Sequence, residues 1–263
     1  MIAKPNNRFA NRLRQKPPCL GTCITFTDPT VTEALCSIFD FVWIDMEHNA
    51  LTLETVQAHI MATKGSETIP LVRVPWNDPV LIKPILDIGA AGVIVPLIRT
   101  ADDAQRAVAA CLYPPDGIRG FGPRRPSNYG QLFGPDFCHA ANDGVTIIVQ
   151  IEHLEAVNNI DAIVAIPGLT SILVGPNDLS GSMGHMGEPR HPEVLQAIDK
   201  VIASARRKDF PVGIAFGDDP EDQIQWLDKG VNWLALGADF SLLLKASAEI
   251  ARQLRKHGDR RLQ

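Results

Sequence analysis

Two acidic residues follow apolar, strand-like segments and could hold a metal cation between them. Glu152 closes the run that starts at Val145, and Asp178 follows the run from Ile172 to Gly175. Because parallel strands are apolar along their length and bring polar residues to their C-terminal ends, two acids at two such ends can converge on one hard cation. The first chemistry that the sequence indicates is therefore a metal site with oxygen ligands.

Charged side chains also end two other apolar segments. Asp45, Glu47 and His48 lie within four consecutive positions, and Arg73 lies in an otherwise apolar run. Alternation along a strand places Asp45 and Glu47 on the same face, with His48 at the turn that follows. A buried arginine needs an anion opposite it. Histidine is the side chain that titrates nearest neutrality, so His48 is a candidate base whose ring Asp45 can hold.

The elements that would position these residues alternate along the chain. Strand-like runs lie at 20–26, 41–47, 69–75, 92–97, 145–152, 169–175, 212–217 and 233–237. Helix-length stretches lie at 29–38, 52–64, 79–88, 101–111, 155–165, 192–208, 219–229 and 240–256. Eight strand-then-helix units in 263 residues predict an α/β protein with a (β/α)8 TIM barrel. An open, doubly wound sheet is the alternative.

Three segments stand out within what we expect to be a single domain over residues 1–263. They are an N-terminal helix or cap at 1–19, a long active-site loop at 113–144 and a C-terminal helix at 240–263. The loop is rich in proline and glycine and shows no long periodic stretch, which is typical of a lid or a binding loop. Its Arg119, Arg124 and Arg125 could meet an anionic substrate or bond carbonyl groups of the loop.

The composition argues against several classes of protein. A net charge of -5 without a dominating basic stripe gives no reason to expect nucleic acid as a partner. No apolar run approaches the roughly 20 residues of a membrane span, and the polar N-terminus lacks a signal-peptide core. Five cysteines at irregular spacing favour reduced thiols over a disulfide framework. We therefore expect a cytoplasmic protein without a membrane partner.

Six motifs follow one another along the chain. They are Asp45-x-Glu47-His48, Pro70-Leu-Val-Arg73-Val-Pro-Trp-Asn-Asp78, Leu86-Asp87-Ile-Gly89-Ala90, Tyr113-Pro-Pro-x-Gly117-Ile-Arg119-Gly120, Gln150-Ile-Glu152 and Gly175-Pro-x-Asp178-Leu-Ser180. Their order and approximate spacing resemble those of the HpcH/HpaI class II pyruvate aldolases, from about residue 20 to residue 240. The resemblance implies a (β/α)8 barrel that makes or cleaves 4-hydroxy-2-oxo acids with a divalent metal, commonly Mg2+, Mn2+ or Co2+. It also implies a hexamer in which a C-terminal helix is exchanged between subunits.

The resemblance also implies roles for the residues at the strand ends. Glu152 and Asp178 become the metal ligands, and Arg73 lies beside the oxygen on which negative charge develops. His48 and Asp45 form the base pair, acting partly through a metal-bound water. Glu47 would accept a hydrogen bond from such a water.

Three further residues receive roles from the same resemblance. Asp87 matches an acid that in relatives reaches a neighbouring subunit's site. Gln150 and Asn177 are expected to bind substrate together with Arg73 and Asp178, and the backbone N–H groups of Asn177 and Asp178 are candidates for the carboxylate of pyruvate. The identity of the aldehyde substrate stays open, because the segment after Gly122 looks shorter than in well-known members of the family.

The chemistry suits this set of residues. The methyl proton of pyruvate leaves readily only when the negative charge of the resulting enolate is stabilised, and a divalent metal supplies that stabilisation. A Schiff-base aldolase would need a desolvated lysine, but none of the nine lysines lies at a predicted strand end. Two alternatives stay open: a CoA-ester lyase of the citrate lyase β-subunit type, and a barrel that binds small acids without catalysis.

Overall fold

Apolar residues occupy nearly every position of the strands, as expected for a parallel sheet that is covered on both faces. In the computed structural model, which describes residues 7–15 and 18–261, the strands are β1 (Cys19–Ile24), β2 (Phe41–Asp45), β3 (Ile69–Arg73), β4 (Gly92–Val95), β5 (Thr146–Ile151), β6 (Ser171–Val174), β7 (Val212–Ile214) and β8 (Trp233–Ala238). They pair in chain order, and β8 closes on β1 in parallel. The predicted (β/α)8 barrel is confirmed, and the closure rules out the open sheet.

The helices lie between the strands. They are α1 (Arg8–Leu13), α2 (Pro29–Leu35), α3 (Leu53–Ala62), α4 (Pro79–Asp87), α5 (Ala101–Cys111), α6 (Gly134–Gly144), α7 (Leu154–Asn158), α8 (Ile160–Ile163), α9 (Pro176–Ser182), α10 (Pro192–Arg207), α11 (Pro220–Lys229) and α12 (Asp239–Arg261). Asp28, Asp78 and Asp219 cap three of them, each accepting from an N–H group of the first turn before a proline-led start. Within the described residues, no helix has the length and apolar character to cross a bilayer.

The end of the barrel at which the strands begin is filled with aromatic side chains. Phe9 of α1 packs edge-on against Phe41 and Trp233, with ring centroids 5.6 and 5.4 Å away. Gly213 leaves the space for Trp233, because a Cβ at that position would lie 2.1 Å from the indole ring. All three aromatic side chains are buried. This packing closes one end of the barrel, so a substrate must enter at the other.

Three helical assignments differ from the sequence prediction. The segment 113–144 contains α6, which a proline opens and which buries only Asn142, so its helical pattern is faint in the sequence. The helix expected at 155–165 is divided at Asn159 into α7 and α8. The short helix α9 follows β6 where no helix was predicted. The unassigned part of the predicted loop is therefore shorter, from 113 to 133.

The terminal segments are partly described. In the segment 1–19, α1 accounts for the expected helix, and residues 1–6, 16 and 17 lie outside the described residues. The expected helix at 240–263 is α12, which starts one residue earlier, and residues 262 and 263 lie outside the described residues. Leu243, Leu244, Ile250 and Leu254 on α12 are exposed. The exchange of this helix between subunits stays a prediction.

Candidate active site

Glu152 is a buried carboxylate that follows β5. Its Oε1 accepts a hydrogen bond of 2.7 Å from the N–H of Leu97, and Oε2 accepts from the amide of Gln150. Burial raises the pKa of Glu152 to about 7, and the charges of Glu47 and Asp178 act in the same direction. A carboxylate with this environment favours a nearby cation, because a positive charge would relieve both effects.

Gly175 makes room for this carboxylate, a role that sequence reasoning missed. A Cβ at position 175 would lie 2.9 Å from both Glu152 Oε2 and Gln150 Nε2. Any larger residue would therefore push the carboxylate aside. The signal was available in the motif around Asp178, since a glycine directly after a buried strand often marks a close approach.

Arg73 and Asp45 form a charged pair at the ends of two neighbouring strands. They are register partners across β2 and β3, and Arg73 Nε donates to Asp45 Oδ1 at 2.7 Å. Arg73 Nη1 also lies 2.9 Å from Glu47 Oε2, although not in hydrogen-bonding geometry. Burial acts to lower the pKa of Arg73, but the hydrogen bond and charge of Asp45 outweigh it and raise that pKa. Arg73 is thus a fixed, permanent cation.

The acids beside Arg73 have opposite shifts. Burial alone would raise the pKa of Asp45, but the hydrogen bond from Arg73 and further donors at Glu47 N and Asn49 Nδ2 bring it below its usual value. Burial raises the pKa of Glu47, and the charges of Arg73 and His48 only partly offset this. Asp45 is therefore committed to holding Arg73, whereas Glu47 is the more readily protonated of the two.

The indole ring of Trp43 stacks on the guanidinium of Arg73, a contact for which sequence reasoning did not single out Trp43. The guanidinium Cζ lies 4.5 Å from the centroid of the indole ring. Trp43 is buried, and its Nε1 has no hydrogen-bond partner among the described residues. Its position two residues before Asp45, on the same strand face, was the available signal.

His48 lies differently from the expectation. Asp45 was expected to hold its ring, but the oxygens of Asp45 accept from Arg73, Glu47 and Asn49. The imidazole is instead mostly exposed, and its Nε2 lies 3.8 Å from Glu47 Oε2. The reason is that Arg73 lies directly across the sheet and that two donors of the following turn, Glu47 N and Asn49 Nδ2, also bond the carboxylate. The structure therefore pairs His48 with Glu47.

Asp178 lies in the first turn of α9, next to Asn177. Both side chains are exposed. The charge of Asp178 raises the pKa of Glu152 and of Glu47, so its carboxylate lies in the neighbourhood of these two acids. Gln150 is buried, and its Oε1 has no hydrogen-bond partner among the described residues. The oxygen donors around this space suit a hard divalent cation rather than a sulfur-preferring one.

Comparison with known proteins identifies the family of this chain. A profile of the HpcH/HpaI aldolase/citrate lyase family matches residues 26–246, most of the chain. The chain belongs to the HpcH/HpaI family. A 5-keto-4-deoxy-D-glucarate aldolase from Klebsiella pneumoniae subsp. pneumoniae is 37% identical over 95% of this chain and 97% of its own. A 4-hydroxy-2-oxo-heptane-1,7-dioate aldolase from Salmonella paratyphi C is 37% identical over 93% of each chain.

A solved structure of an HpcH/HpaI family protein also matches the fold. It comes from Burkholderia cenocepacia, is 34% identical and superposes with a TM-score of 0.89 over 95% of this chain and 99% of its own. The HpcH/HpaI resemblance seen in the motifs is thereby confirmed. So is the predicted class of enzyme, a carbon–carbon lyase of the aldolase type.

Asp87 of this HpcH/HpaI chain binds the long loop. Arg119 donates to its Oδ1 at 2.7 Å, and the guanidinium lies 4.4 Å from the ring centroid of Tyr113. Arg125 donates to the carbonyl of Ile88 at 3.0 Å, so this arginine bonds the main chain. In the described structure, Asp87 thus joins the end of α4 to the loop. It does not belong to the group that Asp45 and Trp43 form around Arg73. Its expected role at a neighbouring subunit's site is untested.

Proposed function

We propose that this chain is a divalent-metal-dependent aldolase. It joins an aldehyde to pyruvate or a related 2-oxo acid to make a 4-hydroxy-2-oxo acid, or cleaves such an acid into these two parts. The observation that supports it best is that a buried carboxylate, Glu152, held in the space that Gly175 leaves (the Gly175 cradle), lies near a fixed cation, Arg73, whose charge acts on it. The names of the two curated aldolases denote acids with a carboxyl group at each end. We infer that the substrate of this chain is an acid of the same class.

The metal would be held by Glu152 and Asp178. Their oxygens suit Mg2+, Mn2+ or Co2+, and the raised pKa of Glu152 fits a site built for a positive charge. When bound, the cation would stabilise negative charge that develops on the ketone oxygen of the 2-oxo acid. The cradle at Gly175 keeps the Glu152 carboxylate in place for this purpose.

Arg73 would supply the second positive charge for that oxygen. A guanidinium that Asp45 and Trp43 already hold needs no reorganisation when charge develops, which is the condition under which such a group accelerates a reaction. Gln150 and the N–H groups of Asn177 and Asp178 would bind the substrate carboxylate. Gln150 Nε2 already donates one N–H to Glu152, so its second N–H would be the donor to the substrate, because Oε1 can only accept.

His48 would move the proton between the methyl carbon and solvent. Its exposed ring stands beside Glu47, whose carboxyl has a raised pKa and can share a proton with the ring or with an intervening water. Asp45 then acts on the reaction through Arg73 rather than through His48. The loop after Gly122 and the segment near His185 would bind the aldehyde part of the substrate.

Asp87 and the assembly form a separate part of the proposal. We infer a homo-oligomer, a hexamer by the resemblance, in which Asp87 completes a neighbouring site. Mixed oligomers test this idea directly. Subunits carrying Asp87→Ala and subunits carrying Glu152→Gln, each inactive alone, should regain activity when they are unfolded, mixed and refolded together. Mixtures that stay as inactive as the separate variants would show that Asp87 does not act across subunits.

Exchange of the pyruvate methyl protons in deuterated water tests the proposal as a whole. Exchange should stop when EDTA removes the metal and should return with Mn2+. Glu152→Ala and Asp178→Ala should each abolish metal binding, whereas His48→Ala should bind metal and exchange slowly. Exchange that survives complete metal removal would overturn the metal-dependent mechanism. A requirement for an acyl-CoA substrate would favour the CoA-ester lyase instead.

A further inference from the structure

A second group of potential metal ligands lies outside the proposed metal site of Glu152 and Asp178, called here the carboxylate site. His185, in the turn after α9, and His191 and Glu193, at the start of α10, each offer one ligand atom, and these atoms lie within 4.8 Å of one another. The two imidazole rings are stacked, with centroids 3.5 Å apart and planes 16° apart. His185 Nε2 lies 3.1 Å from Glu193 Oε2. The cluster is partly exposed, so an ion can reach it.

The main chain holds this cluster in position. The N–H of His185 donates to the carbonyl of Ser180 at 2.8 Å, and two further bonds of 2.9 Å join Glu188 to His185 and His191 to Glu188. Pro192 opens a helix of sixteen residues directly after His191. Little backbone entropy would therefore be lost when the side chains close on an ion.

His185 Nε2 and Glu193 Oε2 bond to each other, and an ion would take the place of that bond. The Nδ1 of His191 accepts from the N–H of Glu193 at 3.4 Å, which leaves Nε2 on the other side of the ring. Zinc ligands lie about 2.0–2.2 Å from the ion, so the donors must approach one another by roughly 1 Å. Rotation of these partly exposed side chains about their χ angles would allow this movement and would also separate the stacked rings.

We propose that His185, His191 and Glu193 form a second metal site, selective for a transition metal such as Zn2+ or Ni2+. Two imidazoles and one carboxylate are a common ligand set for zinc, whereas Mg2+ and Ca2+ prefer oxygen ligands throughout. An ion pair between His185 and Glu193 would explain only two of the three residues. It leaves His191, whose ring stacks on that of His185, without a role.

The stretch between the two histidines helps to line a pocket beside the C-terminal ends of β6 and β7. This pocket of about 280 Å3 is lined by Asn177 together with Pro189 and Arg190, which lie between the two histidines in sequence. An ion bound by His185 and His191 would tie both ends of this stretch. Transition metals added to the enzyme would therefore occupy two places of different chemistry, the carboxylate site and this one.

Calorimetric titration with Zn2+ in the presence of saturating Mg2+ tests the proposal. The enzyme should bind one Zn2+ per chain, and His185→Asn and Glu193→Gln should each weaken this binding at least about tenfold, since even the loss of a residue that supports a metal ligand costs that much. Titration in the Glu152→Gln variant should give the same result. Because that variant lacks a ligand of the carboxylate site, the two sites can fail independently.

The matched control uses a second histidine that caps a helix. His153 caps α7 through Nδ1, which accepts from Glu155 N at 3.1 Å, the same arrangement as at His191. Asparagine preserves the capping acceptor at both positions. His191→Asn should lose Zn2+ binding while His153→Asn keeps it. Equal binding by these two variants, or no binding by the unmodified enzyme, would overturn the proposal.

Discussion

The guanidinium of Arg73 lies over the indole of Trp43, with Cζ 4.5 Å from the ring centroid. Its Nε is at the same time bonded to Asp45. Two neighbours on β2 therefore fix both the plane and the direction of a side chain on β3. Such an arrangement positions a permanent cation before any substrate arrives.

Replacing Trp43 tests how much this stacking contributes. Trp43→Leu should lower kcat/KM about tenfold or more, because a buried cation–π contact is worth roughly 2 kcal/mol. Trp43→Phe keeps a ring under the guanidinium and should lose distinctly less. Steady-state kinetics measure the effect, and circular dichroism checks that both variants fold. Equal losses in the two variants would mean that the ring fills space and does not hold Arg73.

Gly175 should be intolerant of even one carbon. Gly175→Ala places a Cβ 2.9 Å from Glu152 Oε2, so the carboxylate must move and metal binding should weaken about tenfold. Gly122→Ala is the matched control, because nothing lies within 4 Å of a Cβ there. Calorimetric titration with Mn2+ compares the two. Unchanged affinity in Gly175→Ala would show that the cradle does not position the ligand.

Asp87 is expected to stabilise the folded loop. Asp87→Asn leaves Arg119, which is buried, without its charged partner, and should lower the free energy of unfolding by roughly 3 kcal/mol. Asp136→Asn changes an exposed acid at the start of α6 and should have little effect. Urea unfolding measures both. Identical midpoints in the two variants would contradict a structural role for the pair.

Substitutions of Asp87 and Arg119 distinguish a structural role of Asp87 from a catalytic one. If Asp87 only positions the loop, Arg119→Leu should reduce kcat as much as Asp87→Asn does. If the carboxylate itself acts on substrate, only the Asp87 variant should lose kcat. Kinetics of the two variants under identical conditions decide between these cases.

The stability of the enzyme should fall at acid pH partly because of His59. This buried residue has its Nδ1 2.8 Å from Thr32 Oγ1, and burial lowers the pKa of His59, although Asp239 and Asp28 oppose the shift. The unfolded chain then binds a proton that the native chain does not, so stability must fall as pH drops below about 6.5. His59→Gln should reduce this pH dependence between pH 7 and 5 in thermal unfolding. His139→Gln, an exposed control, should not.

Much of the candidate site could be predicted from local pattern. Glu152, Asp178, Asp45 and Arg73 were singled out because each interrupts or ends an apolar strand, and parallel strands gather their ends at one place. The barrel itself follows from eight repeats of strand and helix. These features depend on residue type and spacing, which the sequence displays directly.

Other features depend on neighbours that are distant in sequence. Asp45 was expected to face His48, three residues on, but Arg73 lies directly across the sheet and carries a permanent charge, so it takes the carboxylate. The space at Gly175 and the stack on Trp43 arise where separate strands meet. A pattern along one strand contains no information about which side chains face it from the next.

The sequence by itself determined the barrel, and it indicated the end at which we propose the chemistry and the acids that could hold a metal, because apolar periodicity and chain order dictate parallel strands. Only the tertiary structure decided the partners: Trp43 and Asp45 for Arg73, Glu47 for His48, and His191 beside His185. The physical reason is that electrostatic and packing energies depend on distances across strands and turns. Those distances exist only once the chain has closed on itself.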